Sequence, residues 1–329
     1  MTKAILILAL VMAFIGCAVA RASDKVAAEG TGNTAPATPG LLHIPIHADG
    51  LVGVLVLPDA KGTYPGILRL GGAEGGANTR DADIIASRGY AVLALAYFGA
   101  EGLPADLEEI PLEYFEKAIA WMKHNANIDP EHLGIIGVSR GSSLALLLPT
   151  IYHDFDAVVA LAPTHVVWQS SYLDWSRYAE KSSLSFRGKP LPFVPYDFSD
   201  EAASAGCNQS GNCAAMYDYS LGQIDRVNAS VIAVERITAP ILLVSGEADA
   251  LWPANKMGNL VVQRLAEKKF RYEIRHISHA NAGHCAMSDC FGGGTPTGNK
   301  DAVEEISREV VTFLDRYLKQ NAEGTRKKP

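Results

Sequence analysis

The chain has 329 residues, of which 48% are hydrophobic and 20% are charged, so it can bury a large core and lacks the composition of a disordered protein. Its 29 basic and 36 acidic side chains give a net charge of -7, which offers no basic face to nucleic acid or to anionic lipid. The length allows one large α/β domain or two small ones, and we predict one domain with an inserted segment.

The first residues, 1–22, have the pattern of a secretory signal peptide. Lys3 precedes an apolar run too short to span a bilayer comfortably, and small residues then offer cleavage after Ala20 or Ala22. A lipoprotein signal modified at Cys17 and an uncleaved anchor are the alternatives. We therefore expect a protein exported to the periplasm or the medium, with no stable membrane span after cleavage.

The next predicted elements are a leader and a hairpin. Residues 23–40 are rich in Ala, Gly, Thr and Pro without a period, which indicates a flexible leader before a folded domain over 41–329. The apolar segments Leu42–Ala48 and Leu51–Leu57 flank an Asp49-Gly50 turn. This pattern predicts two antiparallel strands at the edge of a sheet.

Buried strand patterns then alternate with helical periodicity. The predicted strands are Gly66–Leu70, Ala91–Ala96, Leu133–Val138, Ala157–Leu161, Ile241–Ser245 and Tyr272–Ile277. The predicted helices cover residues 79–88, 112–125, 140–150, 255–268 and 301–320, and Asp129-Pro130 predicts a break before the third of these strands. The alternation predicts an α/β fold with a mostly parallel central sheet and helices on both faces.

One segment, from about 165 to 236, interrupts this alternation. It is rich in Ser, Asn, Asp and Pro but keeps aromatic residues such as Trp168 and Trp175, which a disordered linker would not need. We predict that the segment forms a cap over the carboxyl ends of the strands.

The motif Gly137-Val138-Ser139-Arg140-Gly141 lies between a predicted strand and a predicted helix. A serine nucleophile on a sharp strand-to-helix turn needs small neighbours, which G-x-S-x-G supplies. The motif alone is weak evidence for a catalytic serine, and the alternative is an inert serine in a tight turn. Its position favours Ser139 as a catalytic nucleophile in an α/β-hydrolase fold.

A serine nucleophile needs a base and an acid that orients the base, and this fold presents them in the order Ser, acid, His. Asp249 follows a predicted strand at its carboxyl end, with Glu247 as its competitor. His284 follows the last predicted strand. His279 is the second candidate, and His276 falls inside a strand pattern. We predict Asp249 and His284.

Two backbone N–H groups should bind the oxyanion. One is predicted to be that of Arg140, and the other that of Ala73, with Glu74 second, in the glycine-rich loop Gly71–Gly76. No Lys-Ser/Thr pair follows the loop, so a phosphate-binding P-loop is excluded.

Four cysteines follow the predicted signal peptide, and in an oxidising compartment an even number suggests disulfides. Pairing Cys207 with Cys213 and Cys285 with Cys290 is favoured among three connectivities. Neither pair has Cys-x-x-Cys spacing, so zinc is disfavoured. We expect neither a metal nor an organic cofactor.

Longer segments resemble a known family. They are Arg88–Gly99, Phe186–Phe193 and Pro240–Pro253, and the resemblance covers roughly Leu51–Tyr317. The chain is similar to the acyl-CoA thioester hydrolase and bile acid-CoA:amino acid N-acyltransferase family, whose catalytic domain is related to dienelactone hydrolase. The resemblance implies an α/β-hydrolase domain.

The family's catalytic triad maps onto Ser139, Asp249 and His284. Serine rather than cysteine as nucleophile resembles the hydrolysing branch rather than the amidating branch. Family members that carry acyl groups from coenzyme A have an N-terminal β-sandwich of about a hundred residues. Here only some twenty residues lie between the predicted leader and the hydrolase region, which is too few for such a domain. Export would also place the protein where coenzyme A is scarce.

We therefore expect a serine hydrolase that cleaves a small-molecule ester or thioester through an acyl-enzyme. Acyl transfer to an amine or alcohol is one alternative. A catalytically inactive binding protein with the same fold is another, because fold does not dictate function.

Overall fold

The computed structural model describes residues 39–172 and 177–319. Residues 1–38 contain the predicted signal peptide, the alternative lipid attachment site and most of the predicted leader, and they lie outside the described residues, as does Trp175. No helix in the two described ranges is long and apolar enough to cross a membrane.

Eight strands form one large sheet in the described region. In chain order the strands of the described region, including those of two smaller sheets, are β1 (Leu41–Ala48), β2 (Leu51–Pro58), β3 (Tyr64–Leu70), β4 (Ala91–Ala96), β5 (Ile110–Pro111), β6 (Ile128–Val138), β7 (Ala157–Leu161), β8 (Leu184–Phe186), β9 (Lys189–Pro190), β10 (Ile241–Gly246), β11 (Ile274–His279), β12 (Ala282–Cys285) and β13 (Cys290–Gly294). The large sheet has the order β1-β2-β4-β3-β6-β7-β10-β11. Its β1–β2 and β2–β4 pairs are antiparallel and the other pairs are parallel.

Helices cover both faces of this sheet, as predicted. The α-helices of the described region are α1 (Arg80–Ala86), α2 (Leu112–His124), α3 (Arg140–Leu147), α4 (Glu201–Ser210), α5 (Ala214–Ser220), α6 (Ile224–Ser230), α7 (Ala254–Glu267) and α8 (Pro296–Leu314). Apolar side chains of α2, α3 and α7 pack in one core, and those of α1 and α8 in another.

Successive side chains of the central strands point to opposite faces of the sheet and so contribute to both cores. In β4, Leu93 and Leu95 join the core that contains α2, whereas Val92 and Ala94 join the core that contains α8. All residues of β4 are buried. Strands covered on both faces therefore read as continuous apolar runs, which is why they could be predicted.

The predicted hairpin is present at the sheet edge. Ala48 pairs with Leu51 across the turn, where Asp49 and Gly50 have φ of 54° and 78°. Two consecutive left-handed residues match the twist of flanking antiparallel strands, and Asp-Gly tolerates that conformation.

The predicted break at Asp129-Pro130 is wrong, because both residues lie inside β6, which starts at Ile128. Asp129 pairs with Pro65, and the pairing then shifts so that Leu133 lies opposite Gly66. A bulge thus accommodates Pro130, which cannot donate a hydrogen bond to the neighbouring strand.

Helix α8 begins before the predicted start at residue 301. The Thr295 side chain accepts a hydrogen bond from the Gly298 N–H at 3.0 Å, and Pro296 occupies the first helical turn. Both features are typical of helix N-termini, so capping extends the helix through residues whose own helix propensity is low.

The inserted segment, about 165–236, contains α4, α5, α6 and the short strands β8 and β9 in its described part. Strand β8 pairs with β5, which precedes α2. Trp168 is buried, and its ring lies edge-on to that of Tyr217 at 4.8 Å. The disulfide Cys207–Cys213 closes the end of α4, as predicted.

His165, after β7, makes stability depend on pH. Burial, and secondly the charge of Lys256, lowers the pKa of His165 from 6.5 to about 4. The unfolded chain takes up a proton near pH 6.5, whereas the folded chain does so only near pH 4, so stability present above pH 6.5 is lost as the pH falls. We expect about 2 kcal/mol of this loss between pH 7 and pH 5.

Urea unfolding at the two pH values measures this loss. The His165→Leu protein should show a pH dependence flatter by that amount, whereas His153→Leu, which removes an exposed histidine, should not. An unchanged pH dependence in His165→Leu would refute the assignment.

Candidate active site

Ser139 lies at the turn between β6 and α3, at the carboxyl edge of the parallel strands. Its φ of 55° is in the left-handed region, where a residue with a side chain is strained. A Cβ at Gly137 would lie 2.0 Å from the Gly141 carbonyl oxygen, and a Cβ at Gly141 would lie 2.3 Å from the Gly71 carbonyl oxygen. Backbone packing therefore requires both glycines of the motif.

Asp249 and His284 are joined by a hydrogen bond. The His284 Nδ1–H donates to the Asp249 Oδ2 at 2.7 Å, and both residues are buried. The other carboxylate oxygen of Asp249 accepts from the backbone N–H groups of Leu251 and Trp252 at 2.8 and 3.2 Å. These contacts hold the carboxylate in one orientation and leave Nε2 of the histidine as the proton acceptor.

The Nε2 atom of His284 is buried and has no hydrogen-bond partner among the described residues. A buried acceptor without a partner is costly, and such an atom in a native structure calls for an explanation. Its lone pair is available to take a proton from a nucleophile.

His284 follows the last predicted strand, but it lies in a further strand that was not predicted, β12, which forms a hairpin with β13. The predicted disulfide Cys285–Cys290 closes this hairpin directly after the histidine. The Ala250 N–H donates to the Gly292 carbonyl oxygen at 2.8 Å, so the hairpin also contacts the loop that carries Asp249. Asp249 and His284 are thus held by one connected unit.

The competing acid and base candidates make other contacts. Glu247 is exposed and accepts a hydrogen bond from the Ser278 Oγ at 2.8 Å. His276 bonds through Nε2 to the Ser245 Oγ at 2.8 Å. The Nδ1 of His279 faces the carboxylate of Glu305 at 3.7 Å. No side-chain hydrogen bond or ion pair joins any of the three to Asp249 or His284.

The glycine-rich loop lies directly beside Ser139. A Cβ at Gly72 would be 3.0 Å from the Cβ of Ser139. The Gly72 N–H donates a hydrogen bond to the Glu74 Oε1 at 3.0 Å, whereas no described residue accepts one from the Ala73 N–H. The Arg140 N–H is at the first turn of α3, where backbone donors have no partner within the helix.

Tyr97, to which sequence reasoning gave no role, supports this loop. Its hydroxyl donates to the Gly71 carbonyl oxygen at 2.7 Å. Burial, reinforced by Glu74, raises the pKa of Tyr97, so the hydroxyl keeps its proton. No sequence motif marks a tyrosine after β4 for this task, because the contact joins two separate strand ends.

A cavity of about 410 Å³ opens beside Asp249, between the end of β10 and the helices α5 and α7. Glu247, Asp249, Trp252, Asp218 and Lys256 are among its lining residues, and Ser139 is not. No group of three side chains suited to hold a metal ion occurs in the part of the chain that the structure describes.

The structure thus joins Asp249 to His284 and places Ser139 beside the glycine-rich loop. No hydrogen bond connects the Ser139 Oγ to the His284 Nε2 among the described residues. Catalytic hydrogen bonds in proteins without substrate are often long and tighten in the complex. The constellation can support nucleophilic chemistry at a carbonyl group.

Residues 110–292 match the sequence model of the family described as "BAAT / Acyl-CoA thioester hydrolase C terminal". This region includes all three predicted triad residues. The chain belongs to this family.

Curated relatives agree with the family assignment. The mouse (Mus musculus) "Acyl-coenzyme A thioesterase 6" is 29% identical over 301 residues, which cover 85% of this chain and 66% of the relative. The mouse "Acyl-coenzyme A amino acid N-acyltransferase 1" is 27% identical over 300 residues, which cover 86% of this chain and 67% of the relative. The chain spans slightly less than two thirds of the length of the thioesterase.

Solved structures show the fold. Esterase B from Lactobacillus Rhamnosis superimposes with a TM-score of 0.55 at 17% identity, over 98% of this chain and 99% of the esterase. An α/β hydrolase from a Medee basin deep-sea metagenome library gives a TM-score of 0.52 at 17% identity, over 86% of this chain and all of that protein. The family member described here therefore has an α/β-hydrolase fold, as predicted.

Proposed function

We propose that this protein is a serine hydrolase that cleaves carboxylic esters or thioesters. The observation that carries the proposal is the buried His284 imidazole, oriented by Asp249 and with its Nε2 unpartnered. Membership of a family with thioester hydrolases, and relatives that are thioesterases, support the same reaction class.

In the proposed reaction, the Ser139 Oγ attacks the carbonyl carbon while the His284 Nε2 takes its proton. The N–H groups of Ala73 and Arg140 bind the oxyanion. Collapse of the tetrahedral intermediate breaks the bond to the leaving oxygen or sulfur, which takes the proton from His284 and departs as the alcohol or thiol. Water then attacks the acyl-enzyme, with His284 again as base, and releases the acid and free Ser139.

The proposed substrate is an ester or thioester met outside the cytoplasm. The secretory pattern of residues 1–22 and the two short-range disulfides support export, because disulfides persist mainly in oxidising compartments. Detection of the protein in the periplasm or the medium, cleaved after Ala20 or Ala22, would test this part of the proposal.

Activity on two matched substrate series tests the reaction. The series are p-nitrophenyl esters and acyl-CoA thioesters with acyl chains from short to long. Ser139→Ala is expected to lower kcat by roughly 10³- to 10⁶-fold on every substrate that the wild type hydrolyses. The matched control is Ser143→Ala, which removes a hydroxyl bonded to the Arg140 carbonyl oxygen one turn along α3.

An inert wild type on both series, or an active Ser139→Ala protein, would contradict the proposal. With glycine added as an acceptor, hydrolysis predicts only the free acid as product. Formation of an N-acylglycine would instead indicate acyl transfer.

A further inference from the structure

The side chain of Arg140 is buried without a neutralising partner. The residue is 4% exposed, and no described carboxylate lies within ion-pair distance of its guanidinium. The other buried arginine of the described chain, Arg69, is 1% exposed and bonds through Nε and Nη2 to the carboxylate of Asp81 at 3.2 and 2.5 Å. The fold thus neutralises one buried guanidinium and leaves the other uncompensated.

The contacts that Arg140 does make are with neutral groups. Its Nη2 donates to the Gln169 carbonyl oxygen, and its Nη1 donates to the Tyr196 hydroxyl at 3.4 Å. The remaining N–H groups of the guanidinium have no acceptor among the described residues. A buried charge without a counter-ion is strongly unfavourable, and arginines are rarely buried unless paired.

The location of this charge connects it to the reacting groups. Arg140 directly follows Ser139 in the chain. The Tyr196 ring that it contacts packs on Tyr217 at 5.5 Å, Tyr217 packs on Trp252 at 5.8 Å, and Trp252 packs on His284 at 5.9 Å. A continuous aromatic wall therefore runs from the guanidinium to the predicted base.

The charge of Arg140 also acts on buried tyrosines around it. Burial raises the pKa of Tyr217 and of Tyr97, and in both residues the charge of Arg140 opposes the rise. The exposed Glu74 adds to the rise in the pKa of Tyr97, and its carboxylate is already bonded to the Gly72 N–H. Glu74 is therefore the competing candidate for the partner of Arg140.

We propose that the Arg140 guanidinium is a binding site for a carboxylate of the substrate, so that the enzyme prefers an ester that carries a carboxylate near the scissile bond. A guanidinium binds a carboxylate through two parallel hydrogen bonds, and it has unused N–H groups here to do so. This inference rests on the proposed hydrolase function and specifies its substrate class.

Three phenyl esters test the proposal. Phenyl hexanoate is neutral, monophenyl adipate carries a carboxylate at the end of the acyl group, and 4-carboxyphenyl hexanoate carries it on the leaving group. Dissociation constants are measured with the Ser139→Ala protein, so that no turnover interferes. We expect one carboxylated ester to bind about 30-fold more tightly than phenyl hexanoate, as for a charge-assisted contact. Which ester it is identifies the side of the bond that Arg140 faces.

Adding Arg140→Met should abolish this preference, and Arg140→Lys should retain part of it, because lysine keeps the charge but not the planar fork. The matched control, Lys123→Met, removes a cation already paired with Asp154 at 2.7 Å outside the cavity lining and should change the preference by no more than about twofold. The preference for each carboxylated ester over phenyl hexanoate is then measured again as a ratio of kcat/KM values in proteins that retain Ser139.

Equal affinity of the Ser139→Ala protein for all three esters would overturn the proposal. An equal loss of affinity for all three esters in Arg140→Met would also overturn it. If adding Glu74→Gln then restored the affinity, the role of Arg140 would be to balance the charge of Glu74. Failure of the proposed function is a separate result, namely no Ser139-dependent hydrolysis of phenyl hexanoate.

Discussion

Replacing His284 by alanine is expected to lower kcat by roughly 10⁴- to 10⁶-fold, while the KM for the same ester changes little. The reason is chemical: a serine hydroxyl is a weak nucleophile until a base takes its proton. The imidazole is held by Asp249 at 2.7 Å and has its Nε2 free for that proton. Steady-state kinetics on the best p-nitrophenyl ester measure the effect.

His279→Ala is the matched control, because His279 is the other candidate from sequence and precedes the same hairpin. It should retain kcat within about tenfold, since its ring faces Glu305 and not Asp249. Both variants should keep the wild-type circular dichroism spectrum. Comparable kcat values for His284→Ala and the wild type would eliminate His284 as the base.

Replacing Gly141 by alanine is expected to destabilise the fold by about 3 kcal/mol and to abolish activity. The new Cβ would lie 2.3 Å from the Gly71 carbonyl oxygen and 2.6 Å from that of Leu70. Both obstacles are backbone atoms, so β3 and α3 would have to separate. That movement would displace Ser139 from the loop that holds the predicted oxyanion donor Ala73.

Urea unfolding and ester hydrolysis measure the two effects. Gly62→Ala is the matched control, because its new Cβ would meet only the Tyr64 ring at 3.4 Å, an ordinary contact. It should change the free energy of unfolding by less than about 0.5 kcal/mol. If Gly141→Ala were as stable and active as Gly62→Ala, the steric account of the nucleophile turn would be wrong.

Features that depend on neighbours along the chain could be predicted from the sequence. The apolar run of β4, the Asp49-Gly50 hairpin turn and the strand-to-helix position of Ser139 all follow from local periodicity and backbone sterics. The disulfides Cys207–Cys213 and Cys285–Cys290 were predictable for the same reason, since each joins cysteines only a few residues apart.

Local pattern was misleading where pairing with a distant strand decides the outcome. Asp129-Pro130 reads as a break, yet the partner strand β3 keeps both residues in β6 by way of a bulge. The hairpin of β12 and β13 was missed, because its glycine-rich second strand has neither an apolar run nor alternation. Tertiary hydrogen bonds override weak strand propensity in both cases.

By itself, the sequence determined the class of fold and the strand-to-helix turn at Ser139, and it led to the prediction of Asp249 as acid and His284 as base. The sequence also favoured Asp249 over Glu247 and His284 over His279 by their positions, but only the tertiary structure shows the hydrogen bond between Asp249 and His284, because a contact between residues 35 positions apart has no local signature. The same holds for Arg140. Its position after Ser139 is visible in the sequence, but its burial without a counter-ion depends on which distant side chains surround it.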